Sequence, residues 1–174
     1  MAGEPVFYIT AEAANMKEMA EKYRLNFFLF VCNLQADSMI QSAENVFKLK
    51  GVENLTEIDI ALTKAFRTLE PSAKCTRRIC VDIVSDVLLQ HHALNTRKWL
   101  RALLPTLKSK GFTVLAVIDP GMHPPEETQA VLSLFDGEIS IYEKETPKGN
   151  GSFLRIRKMM AQKYAKDEVS LTEE

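Results

Sequence analysis

The sequence predicts an α/β fold: a mostly parallel sheet covered by helices on both faces and ending in an antiparallel hairpin. Three observations predict it. Residues 27–31 and 112–118 are continuous apolar runs of strand length, the pattern of strands buried on both faces. Stretches with apolar residues at helical spacing separate the strand-like runs. After Asp136 and Gly137 the pattern turns to alternation, as a half-exposed hairpin requires.

Taken in order, Val6, Phe7, Tyr8, Ile9 and Thr10 form a first run of strand formers. Ala14, Met16, Met19, Ala20 and Tyr23 fall at helical spacing behind it. The strand at 27–31 follows. Asp37 or Ser38 suits the cap of a helix running to about Lys50. Met39, Ile40, Ala43, Val46 and Phe47 mark its apolar face, and Gly51 its exit. In the next helix Thr56 and Asp59 are spaced as a capping box with Asp in place of Glu, and Leu55 is placed to staple it. Ile58, Leu62, Ala65, Phe66 and Leu69 extend that helix until Pro71. A short strand at 77–82 has Arg77 and Arg78 in front and Asp82 at its end.

Residues 86–90 follow, and a long helix is predicted from near Asn95 to Gly111. Trp99, Leu100, Leu103, Leu104 and Leu107 form its apolar stripe, and Pro105 should kink it. The strand at 112–118 closes on Asp119, Pro120 and Gly121. Pro124 and Pro125 suit a helix entrance. Residues 138–145 and 152–159 make the hairpin, around a Pro-, Gly- and Asn-rich turn at 146–151. We expect one domain over 1–161 and a polar carboxyl-terminal extension over 162–174.

The bulk properties exclude several function classes. With 22 Lys and Arg against 23 Asp and Glu, the formal net charge of -1 argues against broad attraction to nucleic acid or membranes. No apolar run reaches membrane-spanning length. The first residues lack the basic-then-apolar pattern of a secretion signal. Cys32, Cys75 and Cys80 are odd in number and have no metal spacing, so they read as reduced structural thiols of a cytoplasmic protein. His91 and His92 are adjacent and diverge on a helix, and His123 has no partner in sequence. All three read as surface or loop residues rather than ligands. The aromatic run at 27–31 reads as core and not as a stacking platform, because no basic residues interleave it.

The strand ending in Asp82 carries the strongest functional signal. It puts a carboxylate at the carboxyl edge of a buried sheet, where nucleotide-binding α/β folds hold magnesium through water. Yet the 174 residues contain no glycine-rich loop ending in Gly-Lys-Ser/Thr, the usual cradle for phosphates.

Four segments, in order and at consistent spacing, make the chain resemble the RecA-like ATPase domain of the KaiC family, of the type found in many archaeal proteins. Residues 5–12 resemble the family's strand that ends in catalytic glutamates. Residues 78–82, with Ser85 beyond them, resemble its Walker B strand. Residues 96–111 are similar to its next helix, and residues 154–159 to its terminal strand. The resemblance implies a RecA-like three-layer sandwich. It also marks departures. The family carries about forty to fifty residues ahead of the Glu12 strand, with the P-loop strand, the P-loop and the helix after it. The paired glutamates become Glu12 and Ala13, and an Arg-Gly pair after Lys158 and Met159 becomes Met160 and Ala161.

The resemblance implies roles for four residues, each with a plainer alternative. Asp82 would orient magnesium; otherwise it is an inherited acid that hydrogen-bonds within its loop. Glu12 would activate the attacking water as the catalytic residue; otherwise it is a solvated acid near a helix start. Lys158 and Arg157 would reach the nucleotide of a neighbouring subunit; otherwise they are the charged face of an edge strand. Without a P-loop the plainer readings are favoured.

Deleting the P-loop strand would leave unpaired backbone beside the strand at 112–118. The hairpin would have to close the gap, a partner donate a strand, or the chain belong to a longer ATPase. The expectation is therefore a degenerate ATPase domain: a non-catalytic or regulatory KaiC/RecA-like protein acting through protein contacts. Its partner would be itself, as an oligomer, or a KaiC/RecA-like relative. The alternative is part of an ATPase whose P-loop comes from an upstream segment or another chain. No cofactor is expected for the chain alone, and Mg-ATP where the site is completed. Binding to nucleic acid is inherited only from the wider RecA group, and the near-neutral charge argues against it.

Overall fold

The computed structural model describes residues 4–69, 76–147 and 149–171. The expectations placed on Pro71 and Cys75 lie outside these residues, as does Lys148 of the hairpin turn. The strands are Val6–Thr10 (β1), Phe27–Cys32 (β2), Val46–Leu49 (β3), Arg77–Asp82 (β4), Phe112–Ala116 (β5), Gly137–Thr146 (β6), Gly149–Met159 (β7) and Val169–Ser170 (β8). The α-helices are Lys17–Lys22 (α1), Ala36–Met39 (α2), Leu55–Thr68 (α3), Val84–Ser109 (α4) and Pro125–Leu132 (α5). Among the described residues no helix is long and apolar enough to cross a membrane.

The chain divides into two units, Met1–Thr128 and Gln129–Glu174. The first holds a five-stranded, all-parallel sheet in the order β3-β2-β1-β4-β5. The second holds an antiparallel sheet in the order β6-β7-β8. The hairpin thus forms its own sheet with β8 and does not extend the parallel one, where β5 is an edge strand. The last strand pairs Val169 and Ser170, residues of the polar extension, with Leu154 and Phe153.

β1 is the middle of the parallel sheet, and its two faces build two cores. Phe7 is fully buried, with ring centroids 4.9 Å from Phe28, 5.3 Å from Phe30, 5.0 Å from Phe112 and 5.7 Å from Phe66 of α3. On the other face Ala13, Ala20, Ala36 and Ile40 pack on Phe27, Leu29 and Val31, with Val6, Tyr8 and Val46 against them. Right-handed crossovers require this split: leftward steps through α1 and α2 use one face, and rightward steps through α3 and α4 the other.

Cover is incomplete on the second face. The lateral row Leu29, Tyr8, Cys80 and Leu115 lies on one side of neighbouring strands. Along it exposure climbs from fully buried Leu29, through half-buried Tyr8 and Cys80, to Leu115 at 56%. The expected burial of both faces therefore holds over β2 and fails over β5, because the first two short helices reach no further.

Three local expectations are corrected. The helix from Asp37 or Ser38 to Lys50 does not form: α2 is a single turn, Ile40 is extended, and β3 follows. Phe47 stacks on Phe30 at 4.7 Å, and Leu49 is buried. Buried Asn45 fixes the start of β3 by donating from Nδ2 to the carbonyls of Ala20 (2.9 Å) and Phe27 (2.8 Å). Pairing with a buried strand outweighs the helical spacing of the same apolar residues. The Thr56–Asp59 capping box is also absent. Asn54 is the N-cap without a side-chain bond, and Asp59 instead accepts from Trp99 Nε1 at 3.1 Å. The long helix starts at Val84, directly after β4, and is broken at His92 (φ 56°, ψ 169°). The expected start near Asn95 matches only its second segment. His91 Nε2 donates to the Val52 carbonyl at 2.7 Å, and Thr96 Oγ1 to that of Val87 at 3.3 Å, on either side of the break.

Two stability changes follow from this packing. Phe7→Ala should cost about 3–5 kcal/mol, since four rings lose their common neighbour; urea denaturation reads it as a lowered midpoint. Ala161, at φ 59°, occupies the left-handed region just after β7. The residue that resembles the family's glycine thus keeps a backbone that glycine adopts freely. Ala161→Gly should raise stability by about 1 kcal/mol, and an unchanged or lowered urea midpoint would contradict this.

Candidate functional site

The strand order reverses at β1: the chain steps left through β2 and β3, then crosses to β4 and β5. In open α/β sheets the crevice at such a switch point, outside the carboxyl ends of the strands, is where ligands bind. Here it lies between β1 and β4, with Thr10 beside Asp82 in register. Asp82 and Glu12 therefore come to the same edge of adjacent strands.

Both are held locally. Tyr8 donates its hydroxyl to Asp82 Oδ2 at 3.0 Å. Thr10, buried at the strand end, accepts the Glu12 amide at 3.0 Å and donates to the Glu12 carbonyl at 3.3 Å. This closes a small turn that leaves the Glu12 side chain exposed. Asn33 Nδ2, at the end of β2, donates to the Ala11 carbonyl at 3.0 Å. On the far side Ser85 Oγ accepts the Asp119 amide at 2.9 Å, tying the start of α4 to the chain beyond β5.

The electrostatics of this edge are acidic. Burial raises the Asp86 carboxyl above the usual range; the charges of Asp82 and Glu12 add to that, while its own backbone hydrogen bond and His123 oppose it. Burial, and then the bond to Asp82, push the Tyr8 hydroxyl up to about 12. Burial chiefly, with Asp82 second, raises the Cys80 thiol to about 11, and burial raises Cys32 to about 12. Both are protonated and inert at neutral pH. His123 is in a loop, as expected, but is only 8% exposed, and among the described residues its buried Nε2 has no hydrogen-bond partner.

Asp82 and Glu12 sit together with Asp86, Tyr8, Thr10 and His123, four residues not singled out from sequence for this edge. Asp86, four residues beyond Asp82 and in the first turn of α4, was the most legible of them. Lys158 and Arg157 belong to the second unit. Lys158 Nζ donates to the Phe135 carbonyl at 2.9 Å. The β6–β7 ladder steps from Glu138–Lys158 to Ile139–Ile156, so Arg157 is the extra residue of a bulge. Its Nε donates to Ser140 Oγ at 3.3 Å.

Among the described residues no group of three or more His, Cys, Asp or Glu is arranged to hold a metal ion. One oxygen of Asp82 is engaged by Tyr8. The carboxylate suits magnesium held through water and phosphate oxygens, and not an all-protein cage.

The geometry has relatives. The family model described as "ATPase: KaiC" matches residues 1–172. A KaiC-like protein from the hyperthermophilic archaeon Pyrococcus horikoshii OT3 superposes with a TM-score of 0.63 at 19% identity, covering 97% of this chain and 72% of that one. An uncharacterized protein from Pyrococcus horikoshii, solved in complex with an unknown peptide, gives 0.64 at 10% identity, covering 90% and 72%. No curated protein matches.

The Tyr8–Asp82 bond gives a pH signature. A tyrosine whose folded pKa is raised contributes stability that is complete below its ordinary pKa near 10 and is lost as pH climbs through about 12. In a phenolate absorbance titration, the one ionisation that Tyr8→Phe removes should be near pH 12. Loss of an ordinary ionisation near pH 10 instead would exclude the bond.

Proposed function

Because the chain belongs to the KaiC ATPase family, we propose that it is a non-catalytic or regulatory member acting through protein contacts. Its partner is a second copy of itself or a KaiC/RecA-like relative, in the cytoplasm. The observation that carries this reading is the edge at β5. Among the described residues its outer backbone groups belong to no further strand, and Leu115 and Val117 on its bare face are 56% and 44% exposed. A parallel sheet ordinarily has both faces covered. A partner strand would pair this edge, and covering each of the two side chains contributes about 1 kcal/mol. Ala13, Met160 and Ala161, where the family's pattern has a second glutamate and an Arg-Gly pair, favour a non-catalytic role.

A second reading is favoured by the Asp82–Glu12 edge itself. Here the P-loop comes from an upstream segment or another chain. Asp82 would hold magnesium through water, Glu12 would accept a proton from the attacking water, and Lys158 and Arg157 would face a nucleotide of a neighbouring subunit. Mg-ATP supplies the phosphoryl group in that case.

Three measurements separate the readings. Equilibrium binding of labelled ATP with magnesium should give no micromolar affinity that depends on Asp82; micromolar binding that Asp82→Asn abolishes overturns the non-catalytic role. Leu115→Lys, an exposed change, should abolish self-association in sedimentation velocity, or capture of the KaiC/RecA-like partner, without altering the urea midpoint. Hydrolysis that appears on mixing with a partner and vanishes in Glu12→Gln would establish the second reading instead.

A further inference from the structure

The hairpin unit carries a concavity of about 210 Å³ lined by Arg155, Ile156, Arg157, Tyr164 and Lys166. Three consecutive strand residues on one concavity break the alternation of a regular strand. The bulge at Arg157 is the cause, since an extra residue re-aims the side chains around it. The other wall is the chain after β7. It is turned back at Ala161 and fastened by Glu168, which accepts from Tyr142 at 2.6 Å and Lys144 at 2.8 Å. Tyr164 is fixed by donating its hydroxyl to the Arg157 carbonyl at 3.4 Å.

We propose that this concavity is a binding site for a phosphate-bearing anion. Arg155, Arg157 and Lys166 bring three positive charges to it. Among the described residues none of the three makes an ion pair within 4.0 Å. Glu168, the carboxylate fastened nearby, is engaged by Lys144 and Tyr142. Serine 140 holds Arg157 through Nε alone, so the two terminal nitrogens of its guanidinium remain to donate as a pair to phosphate oxygens. Ile156 and the Tyr164 ring give the site apolar walls, which strengthen charge-assisted hydrogen bonds. Its volume accommodates one or two phosphoryl groups. The residues are all in the hairpin unit, and Lys158 is not among them; the site stands whether or not the chain is catalytic.

Calorimetric titration of the full chain with inorganic pyrophosphate, without magnesium, tests it. One saturable site is expected, weakening as salt rises. The double variant Arg155→Gln with Arg157→Gln should weaken it by about tenfold or more, and Lys166→Gln by severalfold. Lys163→Gln, a tail residue outside the concavity, should change nothing. If the double variant loses its native circular dichroism, Lys166→Gln alone carries the test, being an exposed tail residue. ADP and adenosine distinguish the source: ADP matching pyrophosphate while adenosine fails to bind indicates that phosphate is read, and tighter ADP binding indicates a nucleotide. No saturable heat up to about 10 mM pyrophosphate, or full affinity in folded Lys166→Gln and the folded double variant, overturns the proposal.

Discussion

The central strand β1 is paired on both edges and packed on both faces, and the rest of the parallel sheet is arranged around that constraint. A strand in this position leaves no side chain neutral. Its odd residues, Phe7 and Ile9, enter the aromatic core under α3. Its even residues, Tyr8 and Thr10, face the thinner layer and end beside Asp82. One residue of slip would send the rings to the thin side and the polar pair into the core. The same register therefore fixes the fold and positions the candidate site.

The constraint also explains why one side of the sheet is unfinished. Helices α1 and α2, at six and four residues, are long enough to cover β2 and part of β1. Helix α4, with 26 residues, lies on the opposite face and ends at β5. No described helix of comparable length belongs to the crossovers on the thin side. Exposure along the row from Leu29 to Leu115 follows this imbalance, and so does the half-buried state of Tyr8, Cys80 and Asp82. A cover over β4 and β5 would desolvate Asp82 and its neighbours, so an interaction at the bare face would be felt at the acidic edge.

Legibility in the sequence followed the number of constraints acting on each segment. The strand buried on both faces was plain, because an apolar run such as 27–31 has few other uses. The hairpin was plain from alternation and its turn. The segment 36–49 misled because Met39, Ile40, Ala43, Val46 and Phe47 satisfy a helical period, while its outcome is decided by Asn45 binding two distant carbonyls. That bond is a tertiary fact with no local trace. Asp82 and Glu12 could be placed at one edge through resemblance. Tyr8 could not, since a tyrosine within a strand looks like core until the opposite strand supplies an acceptor. His123 had no partner in sequence and, among the described residues, has none for Nε2 in the fold, so nothing in the sequence marked its burial.

The two basic residues at the end of β7 illustrate how neighbouring charges acquire different work. Lys158 and Arg157 are adjacent, and a regular strand would send them to opposite faces. The bulge sets their pairing apart: Lys158 remains in the ladder opposite Glu138, while Arg157 has no ladder partner. The Lys158 ammonium closes the turn at Phe135, using one of its three donors and restricting its reach. Arg157 spends only Nε on Ser140 and keeps its paired terminal donors. A planar fork held at its base is better prepared for a phosphate than an ammonium bent back onto its own backbone. Anion recognition in this unit accordingly falls to the arginine side of the strand, with the returning tail supplying the opposing charge-bearing wall.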